Sequence, residues 1–165
     1  MKGFGRRAVV AIVLAVLWIA LAHPVSVQEV GLAIAVGIGI SLLPLPGAEV
    51  YGEIRLVPRR IGAAIAYVGV FLLAVVRSNL DVAFRVLNPQ LPINPGIVRV
   101  NTKLKSRLGR LLLATSITLT PGTISVAIEG EDIYIHWINV GARDVEGATR
   151  QIVHDFEKYL EVSLG

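Results

Sequence analysis

The sequence predicts a membrane α-helical N-terminal region, of about three short transmembrane helices, followed by a small α+β domain of β-α-β-β-α order. Three observations lead there. The chain is 165 residues long and 54% hydrophobic, with a mean hydropathy of +0.68, too apolar for an ordinary soluble domain and too charged to be membrane throughout. Its charge is segregated. Ile61 to Val76 carries none, Arg77 to Arg110 carries seven basic residues against Asp81 alone, and from Glu129 onward eight acids face Arg143, Arg150 and Lys158. Finally, the stretch from Ile124 to Trp137 alternates as strands do, whereas the first half of the chain is built of unbroken apolar runs.

The transmembrane region is expected over 1–87, with helices near 8–22, 30–45 and 61–87. Met1 to Arg7 is a short basic start, and Ala8 to Ala22 is an apolar run ending at His23-Pro24. A second apolar run follows within a few residues, which reads as a retained anchor and not as a cleaved signal. That run, Val30 to Leu45, stops at Pro44-Leu45-Pro46-Gly47. Both runs fall short of the ~20 residues that usually cross the hydrocarbon core, so they must borrow flanking residues or thin the bilayer. Gly47 to Arg60 is a polar connection, and Ile61 begins a third run whose Gly62, Ala63, Ala64, Ala66 and Gly69 would let helix backbones approach closely.

The third helix should continue past Val76. Leu80, Phe84 and Leu87 extend an apolar face, while Arg77, Asp81 and Arg85 share the other at i, i+4 and i+8. That strip reads either as a solvated helix end or as the polar lining of a joint with another subunit. Prolines 89, 92 and 95 then make 88–96 a Pro-rich linker. Beyond it, 97–165 is expected as one cytoplasmic domain of about 69 residues, small enough to lean on a membrane or partner.

Within that domain, Ile97 to Asn101 is a strand, and Leu104 to Ser116 a helix with Leu104, Leu108, Leu111 and Leu112 on one side. Thr120-Pro121-Gly122-Thr123 fits a type II turn: Pro121 presets φ at the second position and Gly122 tolerates the positive φ needed at the third. Ile124, Val126 and Ile128 then alternate with Ser125 and Ala127. Ile133, Ile135 and Trp137 alternate with Tyr134 and His136 beyond the turn Glu129-Gly130-Glu131-Asp132. The pair reads as a half-buried hairpin. Asp144 caps a final helix whose Val145, Ala148, Ile152, Phe156 and Leu160 recur at three and four residues.

No catalytic constellation is visible, and no catalytic, cofactor-binding or metal residue is expected. There is no cysteine, and His23, His136 and His154 are scattered over a helix break, a strand and a helix without a second ligand at metal spacing. His154, Asp155 and Glu157 fall on the solvated flank of an amphipathic helix. The three apolar runs lack Asp, Glu, Lys and Arg, so the chain carries no proton relay of its own. The pI near 9.8 reflects basic residues set beside an apolar span. Anionic lipid head groups, and not nucleic acid, are their partner.

Ile117-Thr118-Leu119-Thr120-Pro121-Gly122-Thr123, preceded by Leu113-Ala114 and followed by Tyr134-Ile135-His136, resembles the signature of the E subunit of multi-subunit Mrp-type Na+/H+ antiporters. The likeness extends upstream to Ser78-Asn79, Asp81-Val82 and Pro95-Gly96-Ile97. This resemblance implies a non-catalytic subunit of a cation/proton antiporter module, in the cell membrane and multi-pass, with other membrane subunits of that complex as partners. The same family also serves membrane-bound hydrogenases, so both hosts are implied. The candidate subunit interface is Arg77, Asp81, Arg85, Tyr134 and Trp137, and the structural turn is Thr120, Pro121, Gly122 and Thr123. A stand-alone membrane-tethered binding module, with the Tyr134 and Trp137 hairpin as its recognition surface, is the alternative reading. A cytoplasmic domain behind three full spans would put Met1 outside, against the pull of Lys2, Arg6 and Arg7. A shallow hairpin of the first two runs is one way out.

Overall fold

A computed structural model describes residues 2–22, 25–43, 53–54 and 57–164. The chain forms two compact units, Met1–Arg55 and Leu56–Gly165. The breaks expected at His23-Pro24 and Pro44 to Gly47, and much of the polar connection after Gly47, lie outside the described residues.

The first unit is a helical hairpin of α1 (Lys2–Leu21) and α2 (Val27–Leu42). Ser26 caps α2, its hydroxyl accepting the Glu29 N–H at 3.2 Å. The Glu29 carboxylate in turn accepts the Trp18 indole N–H at 2.8 Å, tying the two helices near their joint. Further along, Ala33 and Gly37 are buried. A Cβ on Gly37 would stand 2.7 Å from the Ala11 carbonyl oxygen, so glycine is what lets the helices meet there. In the third run, by contrast, a Cβ at Gly62 or Gly69 would meet open space. Among the described residues those two glycines give no close approach.

The second unit begins with α3 (Pro58–Leu87), opened by proline in its first turn. Then come β1 (Gly96–Asn101), α4 (Arg107–Leu119), β2 (Thr123–Glu129), β3 (Asp132–Trp137), α5 (Val145–Ile152) and α6 (His154–Leu164). The three strands form an antiparallel sheet in the order β1-β3-β2, with Val98 opposite Ile135 and Val100 opposite Ile133. Helices cover one face. Val100, Ile133 and Ile135 meet Leu113 and Ile117 of α4 and Ala148, Val153, Phe156 and Leu160, and this core is closed by Tyr67, Val70, Phe71 and Ala74 of α3. Among the described residues α3 alone is long and apolar enough to cross a membrane, while Arg7–Leu21 and Val27–Leu42 are shorter apolar helices.

Three sequence expectations shift. The helix expected from Leu104 starts at Arg107, because Ser106 caps it by accepting the Gly109 N–H at 2.9 Å. Leu104 is buried from the preceding loop, and Leu111 is exposed. The single final helix bends at the fully buried Val153 into α5 and α6. Its first half packs on β1 and its second on α3, and one straight rod cannot follow both surfaces. In β2, Ile124 and Val126 are 55% and 60% exposed, so the apolar residues of that edge strand face away from the core. Ser125 turns inward instead, donating to the Ala114 carbonyl at 2.9 Å while its N–H reaches Thr118 Oγ1 at 3.1 Å. A bulge between Ser125 and Ala127 follows that attachment.

Phe156 is the side chain on which α3 and the sheet unit meet, its ring centroid 6.3 Å from that of Tyr67 and 6.5 Å from that of Phe71. Phe156→Ala should therefore lower stability by about 3–5 kcal/mol, as large-to-small changes at buried aromatics do. Thermal unfolding of the purified chain in detergent measures it, and an unchanged midpoint would contradict this account of the core.

Candidate functional site

Pro121 forbids α4 to continue and has no N–H to give the Ile117 carbonyl, so the Thr120 N–H is shared between the Ser116 and Ile117 carbonyls at 3.1 and 3.2 Å. Hydroxyls add to the carbonyls of the last turns. Thr118 Oγ1 donates to the Ala114 carbonyl at 2.9 Å and Thr120 Oγ1 to that of Ser116 at 2.7 Å. Thr123 Oγ1 reaches back to the carbonyls of Ile117 at 2.6 Å and Thr120 at 2.9 Å. The Thr120 carbonyl also accepts the Thr123 N–H at 3.3 Å, closing the turn, and Gly122 sits at φ +92° as a type II turn requires. From that turn the Gly122 carbonyl accepts the Ile138 N–H at 2.8 Å, which locks it to the far end of β3. The threonines thus serve as a helix cap made of side chains.

On α3, Asp81 and Arg85 form a two-pronged pair, Nε to Oδ2 at 2.7 Å and Nη2 to Oδ1 at 3.0 Å. The guanidinium goes on to donate to the Pro92 carbonyl at 2.7 Å. With its carboxamide oxygen assigned toward Arg85, Asn139 accepts from Nη1 and Nη2 at 3.2 and 3.3 Å. Arg85 therefore fastens three segments: its own helix, the proline connector and the loop after β3. Asn94 adds backbone bonds to that loop, its N–H to the Ile138 carbonyl at 3.1 Å and its carbonyl from the Val140 N–H at 2.8 Å. Arg77, two turns back, has no ion-pair or hydrogen-bond partner among the described residues.

These pieces surround a recess of about 600 Å³. Arg77, Ser78, Asp81 and Arg85 form one wall, Thr120 to Thr123 a second, Trp137 and Asn139 a third, and His154, Asp155 and Lys158 of α6 the last. On the walls made by α3 and the turn most polar groups are already spent. The turn hydroxyls donate to α4, Ser78 Oγ donates to the Ala74 and Val75 carbonyls at 2.7 and 3.1 Å, and Asp81 is held by Arg85. On the walls made by α3, the turn and β3, the groups left over among the described residues are the Arg77 guanidinium and the Trp137 indole N–H. A cation and an indole donor beside apolar walls suit an acceptor-bearing segment of another protein. No three His, Asp or Glu side chains gather as a metal shell among the described residues.

Four of the five residues singled out by sequence, Arg77, Asp81, Arg85 and Trp137, come together here with the turn. Tyr134 does not. It stands opposite Arg99 and Ala127 in the sheet, and at three residues from Trp137 the alternation of a strand puts the two on opposite faces. The helical period places His154 and Asp155 on a solvated flank, and both are exposed there while lining the recess from the α6 side. Glu157, from the same flank, accepts from Thr102 Oγ1 and the Lys103 N–H, both at 2.6 Å, and stitches the loop before α4 to α6. Nothing in a helical period marks which polar residues a fold will turn inward, so these contacts have no signal in the sequence.

Comparison with known proteins supplies an independent line. A family model described as Na+/H+ ion antiporter subunit matches residues 11–162. The E subunit of the Na(+)/H(+) antiporter of Alkalihalophilus pseudofirmus is 43% identical over 108 residues, covering 64% of this chain and 67% of that protein. The E1 subunit of the Staphylococcus haemolyticus antiporter is 31% identical over 139 residues, covering 81% of this chain and 83% of that one. In structure, the chain is similar to one within the membrane-bound sulfane sulfur reductase, an archaeal respiratory membrane complex, with a TM-score of 0.82, 40% identity and coverage of 96% and 98%.

Gly122→Val tests the turn. Valine at φ +92° is strained, and even its Cβ would stand 3.0 Å from Ile138 Cγ2. The cost should be about 1–3 kcal/mol, read as a lowered unfolding midpoint and a lower yield of assembled complex. Normal yield with lost function would mean that the turn acts in function and not in folding.

Proposed function

The chain belongs to the family of E subunits of Mrp-type Na+/H+ antiporters, and from that premise we propose that it is a non-catalytic membrane subunit of an ion-translocating complex. The observation that carries this reading is similarity along nearly the whole chain, 96% of it, to a single chain of a respiratory membrane complex. A stand-alone tethered module gains no such support. Two kinds of host fit, the antiporter itself and a respiratory assembly carrying an antiporter-like module. The chain contributes surfaces, not chemistry: its apolar runs at 8–22, 30–45 and 61–76 hold no Asp, Glu, Lys, Arg or His. Ion and proton pathways then belong to companion subunits. The recess around Arg77 and Trp137 is the contact for one of them.

The test has two arms. The single chain reconstituted in liposomes should dissipate neither a sodium nor a pH gradient faster than empty vesicles. A complex isolated from a deletion strain should be inactive or unassembled. Flux through the single chain would contradict the first statement, and a fully active complex lacking it the second.

The domain that carries the recess is cytoplasmic in this reading. Seven Lys and Arg between positions 77 and 110 support that side, since basic residues next to membrane segments are retained inside. The chain has no native cysteine, so Glu161→Cys provides a single exposed label on α6, outside the recess. An impermeant maleimide should reach it in inside-out vesicles only, and labelling from the outside of intact cells alone would overturn the placement.

A further inference from the structure

By composition α3 is the best membrane span in the chain, yet its packing argues otherwise. We propose that α3 does not cross the bilayer but lies along its surface, outward face in the lipid and sheet unit mounted on the other face, so that the chain crosses an even number of times. This rests on the reading of the chain as a membrane subunit.

The helix has two unlike faces. Ile61, Ile65, Val68, Leu72, Val76 and Leu80 recur at three and four residues and are all exposed. At ~100° per residue, every charged side chain of the helix, Arg59, Arg60, Arg77, Asp81 and Arg85, lies at least ~120° around from the centre of that stripe. The opposite face is attached along its length. Arg60 reaches the Ser163 carbonyl at 3.5 Å, the Tyr67 hydroxyl bonds Ser116 Oγ, Phe71 meets Phe156, and Arg85 bonds Asp81, Pro92 and Asn139. From Arg60 to Arg85 is ~38 Å of helix, more than the ~30 Å thickness of the hydrocarbon core. A crossing α3 would therefore carry α6, with exposed Asp155, Lys158 and Glu161, into hydrocarbon. Lying in the interface, the same helix buries its apolar stripe in lipid and leaves the sheet unit in water.

Charge along the chain agrees independently. α1 and α2 form a tight hairpin in which Trp18 meets Glu29 and Ala11 meets Gly37, an antiparallel arrangement whose two ends emerge on one side. If only these two cross, Lys2, Arg6 and Arg7 share a side with the seven basic residues of 77–110, as the positive-inside rule asks. A third crossing would separate the two clusters.

The experiment uses single-cysteine variants of the full chain in its assembled complex. Gly5→Cys and Glu161→Cys report sides through impermeant maleimide. Ile65→Cys, Leu72→Cys and Leu80→Cys, carrying an environment-sensitive fluorophore, report depth through phosphatidylcholine vesicles with quenchers placed high or low on the acyl chain. Labelling of both side reporters from one side, with all three depth reporters quenched most by the shallow quencher, is the expected result. Labelling from opposite sides, or a Leu72 reporter deeper than both neighbours, would overturn it in favour of a crossing helix. Reporters that no lipid quencher reaches would overturn it in favour of a protein subunit on that face. Both side reporters labelled from outside only would leave the even crossing standing and instead overturn the cytoplasmic placement.

Discussion

The packing of α3 onto α6 is the contact on which the second unit depends. A three-stranded sheet with helices on one face has a small core, and here that core stays open until Tyr67, Val70, Phe71 and Ala74 close it. Phe156 sits in the seam, touched by both aromatic rings of α3. The Tyr67 hydroxyl, which would be costly to bury alone, finds Ser116 of α4. The helix that composition assigns to the membrane is therefore also a structural wall of the α+β unit. Its position decides where the sheet, the turn and the recess stand relative to the bilayer.

The Thr-Pro-Gly-Thr turn is a consequence of ending α4 abruptly. Proline stops the helix, glycine reverses the chain, and the threonines, together with Ser125, occupy carbonyls of the last two turns. Each hydroxyl used this way is withdrawn from chemistry at the surface. The residues that carry the family resemblance are thus tied into the frame, bonded to Ile138, whose neighbour Asn139 meets the Arg85 guanidinium.

A similar division holds around the recess. Asp81 and Arg85 satisfy one another and anchor the proline connector, so they hold the shape of the joint. Arg77 and the Trp137 indole remain uncommitted among the described residues and can meet a partner. Groups left over on a frame held by such bonds lose little conformational freedom when they meet a ligand of any kind.

Local chemistry makes much of this legible in the chain itself. The apolar runs, the proline connector, the β2–β3 hairpin and the type II turn each follow from residues adjacent in sequence: Pro121 and Gly122 dictate a backbone shape wherever they occur together. The resemblance carried by residues 117–123 likewise points to the family before any fold is drawn. What needed tertiary structure was every question of facing. Alternation in β2 marks two faces but not which one is buried: Ser125 takes the inner side, bonded to an α4 carbonyl, and Ile124 and Val126 the outer. The span-like composition of α3 conceals that its other face belongs to Phe156 and its neighbours. Alternation alone puts Trp137 and Tyr134 on opposite faces of β3, but only the packing of α3 and the turn makes the Trp137 side a recess. Sequence specifies periodicity, but the choice between two faces is made by what the rest of the chain brings against them.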